Sequence, residues 1–314
     1  MENLLFCLNA TVPVFALMVL GFFFRKINLF DDHFVNKANK FVFAVALPVL
    51  IFEDLATTDF TSTWDSKFIF FCFGITMISI IIAFLLSLIF RKNYNQGEFI
   101  QATYRSSAAL LGIALIQNIY GDAGMAPLMM IVAVPVYNIM AVIVLEFFRP
   151  GNDAFNKELL IKSVIGVLKN PILIGLVLGI LWSLLRIPMP TILGKTLNHV
   201  SNLTTPLGLM AMGAAFDYKK AFGCLKPALV CAFMKLVGFA SIFLPIAIAL
   251  GFKNSHLIAI LIMLSSATTV SSFVMAKNMG HDGILTASVV MLTTFFSAFT
   301  ITAWLFILRT GGFI

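Results

Sequence analysis

The sequence predicts an all-α integral membrane protein whose ten spanning helices form two inverted five-helix repeats. Composition, a series of long apolar runs and an internal repeat lead to this prediction. Of the 314 residues, 60% are hydrophobic and 11% are charged, whereas a soluble domain carries about 25% charged residues. Because so few charged residues cannot cover a water-facing surface, the chain is expected to lie in a bilayer.

The apolar runs give the number of spans. A spanning helix needs about 20 mostly apolar residues, and ten runs approach or exceed that length. They cover residues 4–24, 36–56, 68–90, 99–119, 125–148, 164–185, 199–216, 227–250, 257–277 and 284–308. The longest polar stretch, Arg149 to Lys162, separates the fifth run from the sixth. We therefore predict two repeats of five spans each, residues 1–150 and residues 151–314.

The two halves share prolines and a glycine at equivalent positions. Residues Pro13, Gly21 and Pro48 recur 158 residues later as Pro171, Gly179 and Pro206. Because each half has an odd number of spans, the second half must cross the bilayer in the opposite direction to the first. Inverted repeats of this kind are typical of secondary transporters.

The basic residues predict the orientation. The net charge is +7, and Lys and Arg collect in cytoplasmic loops of membrane proteins. The loops after spans one and three contain Arg25, Lys26, Arg91 and Lys92. Placing them inside puts both termini outside the cytoplasm, in the cell membrane.

Several kinds of partner and cofactor are not expected. The sequence has no basic run that would bind nucleic acid, so none is expected as a partner. The four cysteines (Cys7, Cys72, Cys224 and Cys231) show neither metal-ligand nor disulfide spacing. We expect no metal and no cofactor. We also expect no enzymatic activity, because no nucleophile with a base and no phosphate-binding loop is present.

Polar residues inside the predicted spans mark a candidate anion site. Ionisable groups at bilayer depth are costly, and they are functional candidates. Arg105 lies in span four, and six of the eight residues 265–272 in span nine carry hydroxyl groups. Ser and Thr can satisfy backbone groups freed where a helix breaks, and half-helix N-termini attract anionic substrates. The predicted substrate-binding residues are Arg105, Ser106, Ser107, Tyr137, Asn138, Ser265, Ser266, Thr268 and Thr269.

Structural interpretations of these residues stay open. Arg105 would alternatively extend to the inner interface or pair with Glu146, and the hydroxyl tracts would serve as tight helix contacts. For Lys235 in span eight we favour an interfacial or structural role. Pro48 and Pro206 stand at equivalent points of spans two and seven. We predict kinks or hinges at these prolines and at Gly112.

The chain resembles the auxin efflux carrier family, which includes bacterial malate and malonate permeases. The resemblance rests on residues 111–115, 205–214 and 275–282, and on Asn170-Pro171 with Gly179 at the start of the second half. It implies ten spans in two inverted repeats similar to bile-acid/sodium symporters, with broken spans four and nine crossing. It also implies a scaffold of spans one, two, six and seven, and organic anions as substrates.

Two departures from the family pattern narrow the range of expected substrates. Ala114 and the segment 265–268 lack the usual prolines of the crossing, and Ser106 and Ser107 stand where members often carry asparagine. Hydroxyl groups and a short chain without a long central loop favour a bacterial permease of small dicarboxylates.

The expected function is secondary transport of small organic anions, with malate or a related dicarboxylate favoured. It would proceed by alternating access as uniport, exchange or proton-linked movement, without sodium. The alternatives are an exporter of auxin-like aromatic carboxylates and an anion-conducting channel. The bilayer and the anion are the expected partners, and a homodimer is left open.

Overall fold

A computed structural model describes residues 2–57, 65–90, 96–107, 115–117, 119–120, 124–150 and 164–314. These residues form helices joined by turns, and no strand occurs among them. Within these described ranges, six helices are long and apolar enough to cross a membrane: Asp32–Ala56, Ser66–Phe90, Ala126–Phe147, Leu225–Ala249, Ser255–Asn278 and Ile284–Thr310. The protein is therefore a multi-pass, all-helical membrane protein.

The first half begins with a long helix and ends with another. Its helices are α1 (Glu2–Lys26), α2 (Asp32–Phe41), α3 (Leu47–Ala56), α4 (Ser66–Ser87), α5 (Gln96–Tyr104) and α6 (Ala126–Phe147). A π-helical turn, Val42–Ala46, joins α2 to α3 into one continuous helix. The carboxylates of Asp31 and Asp65 accept hydrogen bonds from the first turns of α2 and α4, as N-caps do.

The described residues of the second half form further helices, most of them short. They are α7 (Pro171–Leu184), α8 (Thr191–Ser201), α9 (Thr204–Ala215), α10 (Tyr218–Gly223), α11 (Leu225–Phe233), α12 (Phe239–Ala249), α13 (Ser255–Ser265), α14 (Val270–Asn278) and α15 (Ile284–Thr310). A second π-helical turn, Met234–Gly238, joins α11 to α12. The Asn170 side chain caps α7 at Ile172 N–H, 3.0 Å away.

Six of the predicted spans agree with the six long apolar helices. A seventh also agrees with a helix, and the remaining three differ in detail. The run 4–24 lies inside α1, and the run 164–185 contains a helical segment at 164–168 followed by α7. The run 199–216 is divided between the end of α8 and α9. The run 99–119 is helical only to Tyr104 within the described range 96–107.

The two prolines are accommodated differently. Pro48 follows the π-helical turn, whose wider spacing relieves the clash between a proline ring and the carbonyl one turn earlier. Pro206 lies in the first turn of α9 after a break at Asn202–Leu203. At that position the missing proline N–H costs the helix no hydrogen bond. Gly112, the third predicted hinge, lies outside the described residues.

Glycines allow two helix pairs to touch backbone to backbone. A Cβ at Gly21 of α1 would lie 2.1 Å from the Met210 carbonyl oxygen of α9, and a Cβ at Gly179 of α7 would lie 2.9 Å from that of Phe52 in α3. Gly179 is 158 residues after Gly21, and Met210 is 158 residues after Phe52. The contacts α1–α9 and α7–α3 are therefore related by the spacing of the sequence repeat.

The span made by α13 and α14 is the centre of the protein. It is 89% buried, against 33–61% for the other five apolar spans. The largest hydrophobic cluster joins α13 to α4, α6 and α12 through side chains such as Cys72, Met129, Phe243 and Ile260. A span enclosed on all sides can carry polar backbone without exposing it to lipid.

The Gly213 contact gives a prediction for stability. A Cβ at Gly213 of α9 would lie 2.0 Å from the Met18 carbonyl oxygen of α1, so Gly213→Ala must push the two helices apart. We expect a loss of about 3 kcal/mol or more, measured as a lower melting temperature in detergent. The matched control is Gly74→Ala in α4, where the added Cβ has no neighbour within 4 Å. Equal melting temperatures of the two variants would contradict this packing.

Candidate substrate-binding cavity

Two helices are interrupted beside each other and touch through their backbones. Helix α5 ends at Tyr104, and residues 105–107 follow without helical structure. Helix α13 ends at Ser265, and α14 begins at Val270. The Ser107 N–H donates to the Ala267 carbonyl at 2.8 Å. The two breaks therefore meet directly, and we call residues 105–107 and 266–269 the crossing.

Side-chain hydroxyls satisfy carbonyls in the last turns of α5 and α13, and a side-chain amide joins α5 to α14. Thr268 Oγ1 donates to the Ala102 carbonyl at 2.8 Å, and Ser106 Oγ donates to the Met263 carbonyl at 2.5 Å. Gln101 Nε2 donates to the Ser272 carbonyl at 2.8 Å. The last carbonyls of a helix have no partner within the helix, and without water in the bilayer such groups must be satisfied by protein.

A cavity of about 690 Å³ opens against the crossing. Its wall comes from α1, the π-helical turn Val42–Ala46, α3, α6, α8, α9, α14 and α15 together with the crossing itself. The polar residues of the wall are Thr11, Asp54, Arg105, Ser106, Ser107, Tyr137, Asn138, Ser201, Asn202, Thr204, Thr205, Thr268, Thr269, Ser271 and Thr294. Apolar residues such as Leu47, Leu50 and Ile51 complete it.

Arg105 supplies a buried positive charge to this wall. The residue is 3% exposed. Its guanidinium donates to Asn138 Oδ1 at 2.5 Å and contacts Met275 Sδ at 2.6 Å. Asn138 is itself oriented by donating to the Val134 carbonyl at 2.8 Å. Within the described part of the chain Arg105 forms no ion pair, and Glu146 instead lies 3.9 Å from Arg149.

The predicted binding residues separate into two groups. Arg105, Ser106, Ser107, Tyr137, Asn138, Thr268 and Thr269 line the cavity. Ser265 and Ser266 do not: Ser265 Oγ donates to the Leu236 carbonyl at 2.7 Å, and Ser266 is fully buried behind the wall. Ser265 ends α13, so its side chain faces the neighbouring helix instead of the cavity.

Sequence reasoning did not identify the opposite wall of the cavity. Asn202 and Thr204 lie at the break between α8 and α9, and Asp54 lies near the end of α3. The sequence does carry a signal for the break between α8 and α9, because this break precedes Pro206, which is equivalent to Pro48 in the repeat. Nothing in the sequence alone shows that this break faces the crossing.

Lys235 has a more specific position than the sequence indicated. It is fully buried, so its side chain does not reach the membrane interface. Its ammonium lies behind the crossing and donates to the Tyr104 carbonyl at 3.2 Å and the Leu264 carbonyl at 3.1 Å. Lys235 is absent from the cavity wall, whereas its further partner Ser106 lines it.

Comparisons with known proteins identify the family of the chain. A family model described as "Membrane transport protein" matches residues 6–305. The "Uncharacterized transporter YfdV" of Escherichia coli (strain K12) is 22% identical over 267 residues, which cover 81% of this chain and 82% of the relative. A protein named "Putative malonate transporter" from Rhizobium meliloti (strain 1021) is 22% identical over 315 residues, which cover 96% and 95%. The chain belongs to the membrane transport protein family, the auxin efflux carrier family that its motifs resemble.

Proposed function

We propose that the protein is a secondary transporter of small organic anions, with malate or a related dicarboxylate as the favoured substrate. The observation that carries the proposal is Arg105, a buried cation on the wall of a cavity at the crossing, with no ion pair among the described residues. A buried charge without a counter-ion is costly. An anionic ligand in the cavity would offset that cost.

The guanidinium has donors left for a carboxylate. Arginine carries five N–H donors in a fork that matches a carboxylate in two-point contact. Within the described structure its hydrogen bonds are those to Asn138 and Met275, and thioether sulfur is a weak acceptor. A carboxylate placed here would also meet the hydroxyl group of Ser107, whereas the hydroxyl groups of Ser106 and Tyr137 already donate to the Met263 carbonyl.

The N-terminus of α14 supports binding of a second carboxylate. Thr269 precedes the helix in extended conformation, and Thr269, Val270 and Ser271 all line the cavity. The first N–H groups of a helix have no partner within it, and the helix dipole places positive charge at this end. Arg105 and this N-terminus share one wall, so a short dicarboxylate would contact both.

Alternating access is supported by the relation between the two halves. The α1–α9 and α3–α7 contacts are related by the 158-residue spacing, as expected for inverted repeats with boundaries at residues 1–150 and 151–314. These helices correspond to spans one, seven, two and six, the proposed scaffold. The cavity lies between that group and the crossing, so a shift of one against the other would open it to alternate sides.

An aromatic carboxylate is the second candidate substrate. Leu47, Leu50 and Ile51 give one side of the cavity an apolar surface, which would receive a ring. The relative named for malonate and the hydroxyl groups around Arg105 favour the small acid. Purified protein warmed with malate, malonate and an aromatic acetic acid separates the candidates, because a ligand of the folded state raises its melting temperature.

Substitution of Arg105 tests the proposed anion site. We expect Arg105→Ala to raise the Kd for the dicarboxylate by about 10- to 100-fold, because a charge-assisted two-point contact is lost. We expect a smaller rise for Arg105→Lys, which keeps the charge and loses the fork. Binding to purified protein and uptake into proteoliposomes provide the measurements. Arg309→Ala, an exposed site at the end of α15, is the control, and wild-type affinity in both Arg105 variants would exclude the assigned role.

The proposed orientation places both termini outside the cytoplasm in the cell membrane. We expect an epitope tag after Ile314 to bind antibody on intact spheroplasts. A tag inserted between Arg149 and Lys162 is the matched control and should be reached only after permeabilisation. The reverse pattern would show that both termini lie in the cytoplasm and would contradict the proposed orientation. The geometry of the cavity does not depend on that orientation.

A further inference from the structure

The ammonium group of Lys235 lies in a cage of protein oxygens. Its Nζ is 3.2 Å from the Tyr104 carbonyl, 3.3 Å from that of Met263 and 3.1 Å from that of Leu264. Ser106 Oγ is the fourth and nearest oxygen. The residue is 0% exposed and forms no ion pair with any carboxylate of the described chain. Its charge is therefore held by neutral oxygens alone.

The cage is built by the ends of two helices that point at the same place. Tyr104 is the last residue of α5, and Met263 and Leu264 lie in the last turn of α13. Each helix carries about half a negative elementary charge at its C-terminus. Two such ends brought together repel each other, and their summed charge of about one unit matches that of one ammonium.

The backbone around Lys235 fixes the side chain in this position. Lys235 lies in the π-helical turn Met234–Gly238, and such turns leave carbonyls without regular partners. The Leu236 carbonyl accepts hydrogen bonds from Ser265 Oγ at 2.7 Å and from Trp304 Nε1 at 3.1 Å. The turn is thereby anchored to the end of α13 and to α15, which explains why Ser265 faces away from the cavity.

We propose that Lys235 is the built-in cation of the crossing and occupies a site that a free monovalent cation would otherwise fill. Three carbonyls and a hydroxyl form an oxygen ligand set suited to a hard cation. A transporter that stabilises its crossing by a free ion couples substrate movement to that ion. Here the cation is covalently attached, so the anion moves without coupling to Na⁺ or K⁺. The coupling statement rests on the proposed function, whereas the cage itself does not.

Removal of the ammonium group should create a cation site. Lys235→Ala leaves the four oxygens around a space, and we expect its melting temperature in choline chloride to fall by roughly 5 °C or more. Na⁺ or K⁺ at the same ionic strength should restore part of that loss. Lys235→Met removes the charge and fills the space, so it should be destabilised equally in all three salts. Lys226→Ala, an exposed lysine on the same continuous helix, is the control and should melt as the wild type does.

Each outcome decides the proposal without a substrate. Recovery of Lys235→Ala by Na⁺ or K⁺, without recovery of Lys235→Met, would support it. Wild-type stability of Lys235→Ala in choline, or the same loss in every salt, would overturn it. Should the variant fail to fold, the wild type still provides a test: its melting temperature is expected to be the same in Na⁺, K⁺ and choline, and a rise specific to Na⁺ or K⁺ would overturn the proposal. Failure of malate to bind would leave all these melting temperatures unchanged, so the two proposals fail separately.

Discussion

The contact between the two broken helices is the constraint on which the remaining structure depends. Backbone that leaves a helix inside a bilayer exposes N–H and C=O groups that lipid cannot satisfy. Here the breaks satisfy each other through the Ser107 N–H and Ala267 carbonyl, and Thr268 and Ser106 bond to further carbonyls. The break of α13 and α14 is enclosed by other helices, which keeps lipid away from it.

The two buried cations of the crossing differ in what surrounds them. Lys235 meets four oxygens and is fully satisfied by the ends of α5 and α13. Arg105 meets one amide oxygen and one sulfur, and it borders a cavity. The first arrangement stabilises the protein without a ligand, whereas the second leaves donors for one. The positive groups thus have a structural role behind the crossing and a proposed binding role in front of it.

The glycine contacts explain how the wall opposite the crossing is held. Gly21 and Gly213 bring α1 against α9, and Gly175 and Gly179 bring α7 against α3. In lipid, association of helices relies on close van der Waals packing between small residues. The two pairs joined in this way also pack against α14, through Met18 and Leu209 with Val274 and through Ile51 and Ile172 with Met275.

The sequence by itself determined the class of protein and most of the spans. It also predicted the two repeats and identified Arg105 and the hydroxyl tracts as candidate binding residues. These follow from composition, run length and spacing, which are properties of the chain in order. Tertiary structure decided which hydroxyl groups face the cavity, that Asn202, Thr204 and Asp54 form its other side, and that Lys235 lies between two helix ends. Those facts depend on contacts between residues of different helices, such as Lys235 with Tyr104, which are 131 positions apart. Hydrophobic periodicity carries no information about such contacts, because it reports only whether a residue is apolar and where it stands along its own helix.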